Sequence, residues 1–77
     1  MTPAEAALER AILAAHAAGD PDALVGLYSE AGMRAETGGD VDAACFFYTY
    51  AYVFALETGS AATGELHARL VTHGREE

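Results

Sequence analysis

The sequence predicts an all-α fold, four antiparallel helices in one domain spanning residues 1–77. Three observations predict it. Gly19, Gly39 and Gly59 fall twenty residues apart, and each precedes a residue that caps helices well: Asp20, Asp40 or Ser60. Apolar residues between these marks recur at three- and four-residue steps, the period of a helix with one dry face. No second segment offers itself as a strand partner, so an isolated strand would leave its backbone groups unpaired.

The helices follow in order. The first, over 3–18, carries Ala4, Leu8, Ile12 and Ala15 on one stripe, with Glu5 and Glu9 near its positive end. Gly19 suits the left-handed turn after it, and Asp20 caps the second helix, 21–37, where Pro21 takes the first position at little cost. That helix sets Leu24, Leu27, Tyr28, Ala31 and Ala35 against Ser29, Glu30, Arg34 and Glu36 on its other side. The third helix, 41–58, begins after "TGGD" and contains "ACFFYTYAYVFALE", with six of the seven aromatic side chains. Phe, Tyr and Val favour sheets, and part of this run alternates, so a buried strand competes. Its length and flanking caps favour a helix that is apolar all round and therefore covered on every side. The fourth, 61–73, is capped by Ser60 and repeats Ala62, Leu66 and Leu70 at steps of four.

Composition narrows the function classes. A chain with 52% hydrophobic residues is too apolar for intrinsic disorder. Four arginines, no lysine and twelve carboxylates give a formal charge of -8, which opposes nucleic acid and anionic membrane surfaces as partners and favours basic or neutral ones. The 14 residues from Ala43 to Leu56 reach about 21 Å as a helix, short of a hydrocarbon core of roughly 30 Å. "MTPAEAALER" lacks the basic start and unbroken apolar stretch of a secretion signal, and the single Cys45 lies within the apolar run as a small buried hydrophobe. The expected compartment is the cytoplasm. The lack of lysine beside alanine, glycine and arginine is the composition expected of a GC-rich bacterial coding sequence.

Tyr28 and Gly32 in the second helix, "GGD" at the turn, and Ala44, Tyr48 and Ala51 in the third resemble, over residues 25–58, the tetratricopeptide-type repeat, a family built of 34-residue antiparallel helix pairs. The resemblance implies stacked α-α hairpins in which Gly32 lies opposite Ala44 or Ala51 and aromatics fill the seam. Ala31 and Ala35 stand where the family has bulkier residues, and Leu56 where a proline is common. It also implies a ligand groove lined by Ser29, Met33 and Glu36, without the basic residues that would clamp an acidic peptide terminus. Repeat stacks need about three units to bury a continuous core, and this chain has two helix pairs, so a second copy stacked on the aromatic face is expected.

Candidate chemistry is sparse. His67 and His73 are six residues apart and do not share a helix face, while His16 and His73 lie at helix ends that favour a cation. Solvated or cap-like histidines are expected, and no metal. Asp20/Asp22 and Asp40/Asp42 read as a cap followed by an acid in the first turn, since the glycine and distal glutamate of a calcium loop are missing. No phosphate-binding glycine loop or nucleophile elbow occurs, and no acid–base pair shares an element, so neither catalytic residues nor a cofactor are expected. The sequence thus reads as a small acidic protein–protein interaction module, a homodimer with room for a basic or apolar protein segment. Phe46, Phe47, Tyr48, Tyr50, Tyr52 and Phe54, with Tyr28 and Met33, are its candidate contact residues, of which at least half of the six on the third helix must be core. The alternative is a helical bundle enclosing a small ligand or a metal.

Overall fold

The computed structural model describes residues 2–74, and among these it contains four α-helices and no strand. Helix α1 (Pro3–Ala18) starts where the Thr2 hydroxyl accepts from the Glu5 N–H at 3.1 Å. It ends at Gly19, whose φ of 65° lets the Asp20 N–H reach back to the Ala15 carbonyl at 3.0 Å. Asp20 then caps α2 (Pro21–Thr37) by accepting from Ala23 N–H at 3.2 Å, and Asp40 caps α3 (Val41–Thr58) from Ala43 N–H at 3.0 Å. Each turn therefore both satisfies the carbonyls of one helix and the amides of the next, which reverses the chain in two or three residues. The first three helices have the bounds read from the sequence.

The fourth does not. Helix α4 runs over Thr63–Thr72, ten residues, and has no side-chain cap. Ser60 accepts from the Ala62 N–H at 3.1 Å and Thr63 Oγ donates to the Ser60 carbonyl at 2.8 Å, so these hydroxyls close a turn that precedes the helix instead of starting it.

Helices α2 and α3 share the most extensive contact, while α1 lies against α2 and α4 against α3 more sparingly. The core seam on α3 is Ala44, Tyr48, Ala51 and Ala55, joined by Cys45 and met by Val25, Leu66 and Leu70. Alanines at this spacing let the backbones approach. Gly32 serves a different neighbour from the one expected: the Tyr48 ring, and not Ala44 or Ala51, occupies the space a Cβ would fill. Tyr48 is fully buried, which removes it from the contact candidates and makes it the centre of the core.

The helices form a slab with Cα extents of 32 × 29 × 14 Å. Its surface of 4569 Å² is close to the about 4450 Å² expected of a monomer of this mass, so total area alone calls for no second copy. What is unusual is the distribution of that surface. The third helix, expected to be covered all round, keeps one long side in solvent. No helix among the described residues is long and apolar enough to cross a membrane.

Candidate functional site

The outer side of α3 carries a stripe of four large apolar residues: Phe46, Tyr50, Val53 and Leu56, exposed by 58%, 42%, 45% and 56%. Their steps of four, three and three keep them on one face, opposite the alanine seam. Phe46 and Tyr50 meet edge to face with centroids 5.0 Å apart, so part of the stripe is already held in place. Scattered exposed hydrophobes are ordinary; a continuous row on a helix whose opposite face is core is not.

The other aromatics serve the chain itself. Tyr28, half-buried on α2, stacks on Tyr50 at 5.2 Å, on Phe54 at 6.1 Å and on Phe47 at 6.3 Å. Its hydroxyl pairs with His16 Nε2 at 2.8 Å, and the His16 ring meets Phe54 edge-on at 5.9 Å. Burial and the neighbouring Tyr50 hydroxyl push the Tyr28 phenol above its ordinary pKa. Tyr52 lies over His67 at 5.8 Å on the α4 side. The aromatic set thus divides into a core residue (Tyr48), an internal stack (Tyr28, Phe47, Phe54), a lateral contact (Tyr52) and an outward pair (Phe46, Tyr50). Met33 is exposed on α2.

His16 also marks where α1 is pinned. Beyond it, toward the N-terminus, an open cleft of 1410 Å³ separates α1 from the C-terminal half of α2 and the start of α3. Leu8, Ile12 and Leu13 line one wall and Tyr28, Phe46 and Phe47 another.

A polar cluster holds α4 to the α2–α3 hairpin. Glu36 accepts from Tyr48 Oη at 3.3 Å and Arg69 Nη1 at 3.4 Å, and its other oxygen meets His73 Nε2 at 2.6 Å. Arg69 also binds Glu65 at 3.2 Å and packs its guanidinium over the Tyr48 ring, 5.5 Å from the centroid. The hydrogen bond from His73, then those of Tyr48 and the nearby cations, hold the Glu36 carboxyl below its ordinary value against the opposing effect of burial. Burial pushes the Tyr48 phenol up, and the bond to Glu65 raises Arg69 further. Glu36, Tyr48, Arg69 and His73 do not line the cleft, so the geometry makes them a clamp between helices. One expectation changes here: Glu36 faces α4 instead of a ligand groove. His16, exposed in the last turn of α1, and His73, at the C-cap of α4, sit at helix ends as expected, and each also meets a side chain of another helix. Arg69 in the last turn of α4 and His73 at its C-cap, four residues apart, were a readable sign of a basic pair; their partner Glu36, 33 and 37 positions away, was not.

Among the described residues no group of three or more His, Cys, Asp or Glu side chains is arranged to hold a metal ion, and Asp20 and Asp40 spend a carboxylate oxygen each on capping. Cys45 is buried in the seam. No family model, curated protein or solved structure matches the chain.

Proposed function

We propose that this chain is a small, non-catalytic interaction module that self-associates through the outer stripe of α3. The observation that supports this best is the row Phe46, Tyr50, Val53, Leu56. An isologous dimer would lay two such rows across each other, burying on each copy the apolar area that the chain leaves in water. Around the stripe lie Thr49 and, toward its ends, Asp42 and Glu57, so two copies can approach along its middle without bringing like charges together. The α2–α3 hairpin, with its alanine seam and aromatic stack, is the part that supports reading the chain as tetratricopeptide-like. A small-ligand site is the weaker reading, because the cleft is open and larger than the roughly 300–1,000 Å³ pockets that enclose such molecules.

Sedimentation equilibrium over a wide concentration range tests the proposal. The wild type is expected to approach twice its 8.0 kDa monomer mass, while Val53→Glu and Leu56→Glu stay monomeric with unchanged far-UV circular dichroism. A wild type that remains monomeric at the highest concentration, or a dimer indifferent to both substitutions, would overturn it.

A further inference from the structure

The cleft beside α1 is a second surface that adjoins the self-association stripe, sharing Phe46 and Tyr50 with it, and its chemistry specifies an occupant. Along α1 it reaches from Thr2 to His16, which is about 21 Å of helix rise, or some four turns. Its apolar lining includes Leu8, Ile12, Leu13, Tyr28, Met33 and Phe47. Its margins carry Glu5 and Glu9 on α1, Glu30 on α2 and Asp40 at the turn, while among the described lining residues the one arginine, Arg34, is already held by Glu30 at 3.6 Å. We propose that this cleft docks an amphipathic α-helix of another protein, apolar on one face and flanked by lysine or arginine.

Each part of that description has a cause. An extended peptide would bring backbone N–H and C=O groups against apolar side chains, and walls made of helices have no free backbone edge to pair with them. A helix satisfies its own backbone and offers an apolar stripe of matching length. The basic flanks answer the carboxylates, and the faces of Tyr28 and Tyr50 add favourable sites for cations. A second copy of this chain answers them poorly. It carries a formal charge of -8 and four arginines, of which Arg34 is held by Glu30 and Arg69 by Glu36 and Glu65.

The test uses the full chain and three synthetic 16-residue peptides, titrated by calorimetry. One has leucine at i, i+3, i+4 and i+7 positions with lysine elsewhere. The second replaces every lysine by glutamate, and the third scrambles the first so that no apolar face remains. The lysine amphipath is expected to bind at least tenfold more tightly than its scrambled form, with no detectable binding of the glutamate peptide. The double variant Leu13→Gln/Met33→Gln, which leaves the charge unchanged at exposed positions, should weaken it tenfold or more. Glu5→Gln/Glu9→Gln should weaken it and flatten its salt dependence, while Val53→Glu, which lies outside the cleft lining, should not weaken it. Equal binding of the scrambled peptide would reduce the effect to bulk charge and overturn the proposal. So would an unaffected Leu13→Gln/Met33→Gln variant, or no binding by any peptide. A wild-type dimer that dissolves in Leu13→Gln/Met33→Gln would place a second copy in the cleft and overturn it as well.

Discussion

Gly26 and Gly32 lie on α2 six residues apart and meet opposite surroundings. A Cβ at Gly32 would sit 2.5 Å from Tyr48 Cδ1 and 2.9 Å from Cζ, and that ring is fully buried, tethered at its hydroxyl and covered by Arg69. It has nowhere to move. Gly26 is exposed, with nothing within 4 Å of the same construction. Gly32→Ala should therefore lose about 1–3 kcal/mol to overpacking, more than the about 1 kcal/mol of helix propensity it gains. Gly26→Ala should stabilise by about 0.5–1 kcal/mol. Urea denaturation of the two variants checks the pair, and opposite signs are expected from the same chemical change on the same helix. The presence of a glycine at 32 inside an apolar period was legible as a close approach; which side chain approaches was not, because Ala44, Tyr48 and Ala51 all lie on the facing side of α3 and only the packed ring distinguishes them.

At the level of elements, α2 and α3 form the body of the molecule, and α1 and α4 are attached to it by different means. α1 depends on Ala15 and on the His16 contacts near one end, which leaves its other end standing off the cleft. α4 is short and has no side-chain cap, and it combines Leu66 and Leu70 in the core with the Glu36 clamp. The clamp has a pH sign. Glu36 has a folded pKa below its unfolded value of about 4.3, so in the acid range the unfolded chain binds the proton more readily. Its stabilisation is complete above the unfolded value and is lost as pH falls through the folded one. The stability difference between wild type and Glu36→Gln should thus hold near neutrality, at about 1 kcal/mol or less for so accessible a group, and shrink below about pH 4. Chemical denaturation at several pH values measures it, and a difference that grows toward acid would contradict the clamp. The turns around Gly19 and Gly39 were readable because cap, glycine and proline chemistry acts within a few residues. The start of α4 was misplaced because Ser60 can close either a turn or a helix with the same hydroxyl, and the choice depends on where Leu66 and Leu70 must land to reach the core.

On the scale of the whole molecule, the formal charge of -8 acts on both proposed contacts with opposite effect. Two acidic copies repel, and salt screens that repulsion over a Debye length that shrinks from roughly 10 Å at 0.1 M to 3 Å at 1 M. Self-association through the α3 stripe should accordingly tighten as sodium chloride rises, since the buried row is apolar. A basic helix in the cleft should bind more weakly under the same change. Sedimentation at low and high salt reads the first, and a dimer that weakens with salt would mean that charge pairs, not the stripe, hold it together.

The sequence by itself determined the four helices, the bounds of three of them, the aromatic concentration on α3 and the net acidic charge, because each follows from local chemistry or from composition. Tertiary structure decided which aromatics do what. Six rings within nine residues point in every direction around one helix, and their fates were settled by the neighbours on each side: Tyr48 by Gly32, Phe47 and Phe54 by Tyr28, Tyr52 by His67. Phe46 and Tyr50 remain outermost because no described helix covers their outer side, although Tyr28 of α2 stacks on Tyr50 from within. The cleft was legible only in part: of the groove residues that the resemblance implied, Met33 lines it and Ser29 and Glu36 do not, because its walls come from three helices whose packing no local pattern encodes.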